Sequence, residues 1–363
     1  MVRLTGRRAL NLLGCGALTL VAACSIRGPV VEAPLACGDV AAQGIRWYAV
    51  AQPRDAGLNE AWCRTVGPSV VVPNPPREGS AWNSGDSLLV VAWNSNVGGG
   101  DLAGFLEDEL DLDCSTPGPV STHFVLLLQE AHRRSAALPP VAPGPHVPWR
   151  IEPDPRPSEE MDVVTAARSC GLALSYVPSA RNGHDLPDEV SEDKGNAILS
   201  TLPLRDFEAI ELPFESGRKV AVAASVESPS GEVLRLVSVH LDVTSTLYRT
   251  LVTGNRTRLR QVSGLTEALA LGPPKATLVG GDFNTWAAGD AALDHLRRVF
   301  PQSPPWDGRN TRGPNPTDHI FFGQAPSPGV AIVPGSYQAL ERAHRSDHLA
   351  RVVRLHDTRP DQN

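Results

Sequence analysis

The apolar positions of this chain fall into short runs separated by turn residues. From Ser87 onward, β-branched and leucine-rich runs recur at Leu88 to Ala92, Phe124 to Leu128, Ala197 to Leu199, Val220 to Val226, Val233 to Val239, Ala276 to Val279, Ile320 to Phe322 and Leu349 to Leu355. Each run predicts a strand. Between some of them the period changes, and helices are predicted over Leu102 to Leu112, Met161 to Ser169 and Arg256 to Leu271. The last has Leu259, Val262, Leu265, Leu269 and Leu271 near helical spacing. Strands mixed with helices over residues 86–356 indicate one α/β or α+β domain.

The flanks have a different texture. Residues 24–85 read as a tether and accessory segment, with V-G-P-S-V-V-V-P-N-P-P at 66–76 its one strand-like piece, and residues 357–363 read as a tail. Residues 131–160 hold eight prolines, and a loop of that length is usually functional or a cover. The first 23 residues carry Arg3, Arg7 and Arg8, no acid, and an apolar stretch from Leu12 to Ala23 that is too short to span a bilayer. They have the parts of an export signal that is removed. V-A-A-C ending at Cys24 resembles the bacterial lipobox, in which that cysteine is acylated and becomes the mature N-terminus. The plainer reading is ordinary signal cleavage near Ala23, with Cys24 a simple thiol.

Composition narrows the class. With 41% hydrophobic and 20% charged residues, the chain is neither fibrous nor disordered. Removing residues 1–23 takes three arginines and no acid, so the net charge moves from −7 to −10. An acidic exported protein lacks the lysine and arginine footprint that holds duplex DNA, so no stable nucleic-acid partner is expected. Only Lys194, Lys219 and Lys275 are lysines. Export also implies oxidising conditions. Cys37, Cys63, Cys114 and Cys170 are then expected to form two disulfides, and sequence order favours Cys37 with Cys63 and Cys114 with Cys170 among three connectivities.

The chemistry-bearing residues follow the strands. Leu88 to Ala92 runs into Asn94, Phe124 to Leu128 into Glu130, Val233 to Val239 into His240, and Ala276 to Val279 into Asp282 and Asn284. Asp318 follows Asn315 to Thr317, and Asp347-His348 follows Arg345-Ser346. Strands that end in one charged or amide residue deliver those residues to a common sheet edge. Singly, each fragment is ordinary turn chemistry.

Together and in order, V-A-W-N-S-N, L-L-L-Q-E, G-N-A-I-L-S-T-L-P-L, V-S-V-H-L-D, G-G-D-F-N-T, T-D-H-I-F-F and S-D-H-L resemble the endonuclease/exonuclease/phosphatase superfamily over about residues 86–356. The resemblance implies an α/β, DNase I-like fold: a four-layer sandwich of two mixed β-sheets flanked by helices, with a metal-dependent phosphoesterase site at one end. It implies Mg²⁺ (or Mn²⁺) held by Glu130 with Asn94 and Asp347 close by, hard oxygen donors of the kind such ions take. Asp282 would activate water and Asn284 would hold that water or a phosphate oxygen. His240 and His348 would donate to phosphate oxygens in the transition state, and Asp318 would fix the tautomer of His348.

Other positions are less decided at this stage. Arg218 is a candidate phosphate clamp, and Asn196 either touches phosphate or is satisfied by backbone. Asp242 and His319 read as structural, and Arg249, Arg256, Arg258 and Arg260 mostly as a solvated face. Calcineurin-like metallophosphatases are excluded, because no D-x-H precedes G-G-D-F-N-T and no G-N-H exists. The expected protein is therefore a monomeric, lipid-anchored, extracytoplasmic phosphoesterase. A phospholipid or phosphoinositide headgroup is slightly favoured as substrate, an extracytoplasmic nuclease is the alternative, and a non-catalytic binding lipoprotein is the second alternative.

Overall fold

The computed structural model describes residues 30–32, 44–50, 52–74, 81–115, 120–140, 147–150, 161–185, 190–243, 254–287, 289–324 and 329–358. The signal segment 1–23, Cys24, Cys37 and Arg249 lie outside the described residues.

The strands are β1 (Val30–Glu32), β2 (Arg46–Val50), β3 (Val70–Val72), β4 (Ser87–Asn94), β5 (Phe124–Arg134), β6 (Ala173–Arg181), β7 (Glu192–Ser200) and β8 (Arg205–Glu211). They continue with β9 (Val220–Glu227), β10 (Val233–His240), β11 (Ala276–Asp282), β12 (Asp318–Gly323), β13 (Val330–Ile332), β14 (Gln338–Ala339) and β15 (Arg351–Asp357). The helices described are α1 (Pro53–Cys63), α2 (Leu102–Leu110), α3 (Val163–Ser169), α4 (Gly254–Leu269) and α5 (Ala291–Val299).

Two mixed sheets result. The first runs β1-β2-β8-β9-β10-β11-β12 and the second β13-β15-β4-β5-β7-β6-β3, with β14 paired to β15. Parallel pairs occur at β2/β8, β10/β11 and β4/β5. Their facing sides bury one shared core, including Leu88, Val90, Leu127, Ile198, Val222, Leu236, Leu278 and Val353. The outer face of the second sheet packs on Phe105, Leu106, Ala166 and Ala167 of α2 and α3. That of the first packs on Val262, Leu265, Leu293 and Leu296 of α4 and α5. This is the expected four-layer α/β sandwich, and it explains why the central strands are apolar without alternation: both of their faces are covered.

The sandwich also takes in chain ahead of residue 86. β2 pairs in register with β8 from Arg46↔Glu208 to Ala49↔Glu211, and β3 pairs with β6. Ile45, Trp47 and Trp82 are buried in the central core. Part of the stretch that composition assigned to a tether is therefore sheet edge and core.

Candidate active site

Three neighbouring strands of the first sheet meet the site in one row. His240 ends β10, Asp282 ends β11 and Asp318 begins β12, and the register pairs His240 with Asp282 and Asp282 with Asp318. Asp318 arrives at a strand start, because β12 runs antiparallel to β11. Two glycines precede Asp282 for a steric reason. A Cβ at Gly281 would lie 1.9 Å from the Val239 carbonyl oxygen, so only glycine lets β10 and β11 close at this rung. Asp242 and His319 turn out of this row. Asp242 accepts from the Ser216 N–H at 2.6 Å, and His319 Nε2 stands 2.7 Å from the Pro316 carbonyl.

The second sheet supplies the opposite wall. Asn94 ends β4, in register with Gln129 of β5. Beyond Gln129 the pairing of β5 with β7 shifts between Leu128 and Ala131, and Glu130 sits in that irregularity with φ +53°. A bulge re-aims one side chain, and here it turns the Glu130 carboxylate into a cavity that it shares with His240, Lys194 and Lys219. The S-D-H loop is pinned to β4: Ser346 Oγ donates to the Asn94 carbonyl at 2.6 Å, and Trp93 Nε1 donates to the His348 carbonyl at 3.3 Å. Trp93 is itself stacked on Phe105, with ring centroids 4.4 Å apart.

Asp282 is the hub. Its Oδ1 accepts from the Asn284 N–H at 2.8 Å and its Oδ2 from Asn94 Nδ2 at 2.9 Å. The Nε2 atoms of His240 and His348 stand 3.6 and 3.8 Å from the same Oδ2, beyond direct hydrogen-bond reach. Asn284 adopts φ +49° and donates from Nδ2 to the Leu241 carbonyl at 2.9 Å. Behind this group, His348 Nδ1 is 2.8 Å from Asp318 Oδ2, which also accepts from Thr317 Oγ1 at 2.7 Å. Thr311 Oγ1 accepts from the Asp318 N–H at 3.1 Å. No sequence signal marked the two threonines.

Burial sets the protonation states. It pushes the Asp282 carboxyl up to about 6, with Asp318 adding to the push and His348 opposing it. Burial works against the His348 imidazolium, but Asp318, Asp282 and Asp347 outweigh it and raise His348 to about 9. Asp318 is held below its ordinary value because His348 more than offsets its burial. His240 is driven well below its ordinary value by burial, and the Lys219 and Lys194 charges add to this. One ring is thus cationic and the other neutral at pH 7.

Among the described residues one cluster of possible metal ligands is assembled, and Glu130 stands apart from it. Asp282, Asp318 and His348 each offer an atom within 4.8 Å of the others. In that group His348 Nδ1 and Asp318 Oδ2 hold each other at 2.8 Å, Asp318 Oδ1 is buried with no hydrogen-bond partner among the described residues, and the cationic His348 ring works against a second cation. The Glu130 end fits a hard cation better. Its carboxylate faces the cavity, 3.9 Å from His240 Nδ1 and so beyond hydrogen-bond reach. The Asn94 amide oxygen nearby accepts only the Asn96 N–H among the described residues, at 3.0 Å, and retains a second lone pair. Asp347 is 40% exposed at its side chain, with Oδ2 2.6 Å from Arg312 and Oδ1 3.8 Å from His348 Nε2.

Arg218 departs from the role the sequence offered it. The guanidinium is buried, paired with Glu211, and donates from Nη1 to the Pro178 carbonyl at 2.7 Å. With its donors directed into the protein it braces the two sheets instead of clamping a phosphate. Asn196 resolves toward backbone, donating to the Val220 carbonyl at 2.8 Å, while still lining the cavity. Arg258 is not on a solvated face but buried against Asp290, and Arg260 pairs with Asp55 and Glu215. Arg256 is exposed.

Convergent carboxylates, imidazoles and amides at one end of a two-sheet sandwich define the phosphoesterase and nuclease class. The chain matches the model of the Endonuclease/Exonuclease/phosphatase family over residues 91–348, and it belongs to that family. No curated protein matches it. Among solved structures it is similar to the human Nocturnin catalytic domain with bound sulfate, at 17% identity and TM-score 0.48, covering 80% of this chain and 98% of that one. An endonuclease/exonuclease/phosphatase from Beutenbergia cavernae DSM 12333 gives 17% identity and TM-score 0.47, covering 75% and 72%. Sphingomyelinase C from Streptomyces griseocarneus gives 13% and 0.43, covering 74% and 99%.

Proposed function

We propose that this protein is an exported, lipid-anchored, divalent-metal-dependent phosphoester hydrolase in which water attacks phosphorus. The observation that carries this reading is the Asp282 carboxylate between the Nε2 atoms of two imidazoles, one cationic and one neutral. Glu130, with the Asn94 and Asp347 oxygens, would hold Mg²⁺ or Mn²⁺, which when bound supplies Lewis-acid stabilisation of phosphoryl charge. Asp282 takes the proton of the attacking water, and a carboxyl raised to about 6 is a stronger base than an ordinary aspartate. Asn284 orients that water. His348, kept cationic by Asp318, donates to the phosphoryl oxygens as their charge grows, and His240 donates from the other side.

A lipid headgroup is the favoured substrate. Exposed Val243 lines the cavity, exposed Trp149 follows cavity-lining Pro148, and exposed Trp286 lies two residues past Asn284. Apolar side chains around a site mouth suit a membrane surface. Among the described residues no helix is long and apolar enough to cross a membrane, and the anchor in this reading is the acyl group on Cys24.

The test is hydrolysis of bis-p-nitrophenyl phosphate, phospholipid vesicles, plasmid DNA and RNA by the purified chain with Mg²⁺ or Mn²⁺. EDTA should abolish turnover, and Glu130→Gln should require more metal to recover it. Hydrolysis untouched by EDTA refutes the metal role, and preference for DNA or RNA over lipid refutes the headgroup. Membrane fractionation in which Cys24→Ala stays as membrane-bound as the parent refutes the anchor.

A further inference from the structure

Two of the three lysines in this chain open into the same cavity. Lys194 of β7 and Lys219, the residue before β9, line it with Glu130, His240, Asn196 and Trp62. The sheets aim both. Lys194 and Asn196 alternate along β7 on one face, and Asn196 crosses to the first sheet by donating to the Val220 carbonyl. Lys219 is fixed from behind by its own carbonyl, which accepts the Leu212 N–H at 2.9 Å, and by Arg218 beside it, locked to Glu211 and Pro178. Gly195 lets β7 approach β6 at this point, since a Cβ there would lie 2.0 Å from the Val177 carbonyl oxygen.

Both ammonium groups are partly buried, and among the described residues neither makes an ion pair or hydrogen bond. The cavity's other acid besides Glu130 is Asp242, which is taken up by the Ser216 N–H and Oγ. Burial lowers Lys194 below its ordinary value; the Glu130 carboxylate opposes this and the Lys219 charge reinforces it, so the two cations feel each other across the cavity they both line. Two desolvated like charges are costly to keep together. Arginine carries nearly all the positive charge elsewhere, whereas these positions hold compact point charges.

We propose that Lys194 and Lys219 form a second anion subsite beside the reacting phosphoester, and that the preferred substrate carries a further phosphate group. The inference rests on the hydrolase reading above and adds the substrate's charge pattern. A single phosphoester anion is answered by the imidazoles and the metal that Glu130 would hold, so the two lysine charges that line the same cavity and act on His240 answer a second anionic group. That group belongs either to a multiply phosphorylated lipid headgroup or to a soluble bisphosphate.

The experiment compares kcat/KM with Mg²⁺ on singly charged bis-p-nitrophenyl phosphate, on soluble adenosine bisphosphate and on phosphatidylinositol bisphosphate in phosphatidylcholine vesicles. The parent should favour a bisphosphate, and which of the two is favoured identifies the source. Lys194→Met and Lys219→Met should each lower the bisphosphate-to-monoanion ratio by about tenfold or more, with Lys194→Arg retaining most of it. Calorimetry with inorganic pyrophosphate, without added metal, gives a readout independent of turnover, and either methionine variant should weaken binding by about the same factor. If nothing is hydrolysed while pyrophosphate binding needs both lysines, the hydrolase reading fails and the subsite stands. If phosphoesters are hydrolysed while neither variant moves the ratio or the pyrophosphate affinity, the subsite is overturned and the hydrolase reading stands.

Discussion

At the residue scale the informative unit is the relay from Thr317 through Asp318 and His348 toward Asp282. Asp318 meets the site chiefly through its hydrogen bond with His348, so most of its loss should be contained within that of its partner. His348→Ala is expected to reduce turnover about 10²- to 10³-fold and Asp318→Asn by less, with the double variant little worse than His348→Ala. A double-mutant cycle on kcat checks this, and losses that multiply would separate the two residues. His319, one position on, gives a contrasting case. Burial against Phe283 and Phe321 lowers it to about 4 from the ordinary 6.5. The native state then binds fewer protons than the unfolded chain between those values, so stability is full above pH 6.5 and declines as the pH falls toward 4. Urea denaturation at pH 7 and pH 5 should show a steeper loss for the parent than for His319→Asn, approaching about 1.4 kcal/mol per pH unit. Most of the residues in the site were legible because strands end in them. Lys194 and Lys219 were not assigned there, since a lysine near the start of one strand and another just ahead of a second carry no signal until the two sheets bring them to one cavity. Arg218 misled for the converse reason: adjacency to a strand says nothing about which way a guanidinium turns, and Glu211 took it.

Among the elements, legibility follows how much of each segment is apolar. The runs that became β4, β5, β9, β10 and β11 are covered on both faces and stand out as unbroken hydrophobic blocks. Eight elements escaped, β1, β2, β6, β8, β13, β14, α1 and α5, and three of them show why. Helix α1 buries Asp55, Asn59 and Cys63, so no apolar stripe announces it, although Pro53 sits at its start. Strand β6 contains Pro178, accommodated where its pairing with β7 slips between Pro178 and Ala180. Strand β8 carries buried Glu208 and Glu211, each answered by an arginine from elsewhere in the fold. At this scale the closest fit is the β10/β11 rung at Gly281. Gly281→Ala would drive a methyl into the Val239 carbonyl and force apart the strands that align His240 with Asp282. We expect a stability loss of about 1–3 kcal/mol accompanied by loss of turnover. Thermal unfolding and kcat measured together check it, and an alanine variant with parental values would show that the rung is not closely packed.

For the whole molecule, a disulfide ties together the two helices of one outer layer. Cys114, beyond α2, is bonded to Cys170 at the end of α3, with Cα atoms 4.2 Å apart and the residues 56 positions apart in sequence. Cys63 is also disulfide-bonded. Closing a loop of that length stabilises by about 4 kcal/mol in the chain-entropy account. Cys114→Ser with Cys170→Ser should therefore lower the unfolding free energy by an amount of that order, read from urea denaturation, while leaving the sheets' register intact. A loss near zero would place the bridge's effect elsewhere than in the unfolded chain.

The pairing of β2 with β8 has a consequence for how the chain is made. Arg46 and Glu208, which join these strands, are 162 positions apart, so β2 leaves the ribosome long before β8 and must wait for its neighbour. Until residues 205–211 emerge, β2 presents an unpaired rim carrying Trp47 and Tyr48, side chains that are buried once folding is complete. Non-local parallel pairing closes slowly, and an open apolar rim recruits other chains. The interval between translating these two strands, more than anything at the catalytic end, is thus when a nascent copy is most exposed to aggregation. Trp62, which walls the lysine cavity, belongs to the helix that follows β2, so the anion pocket is completed only after that wait is over.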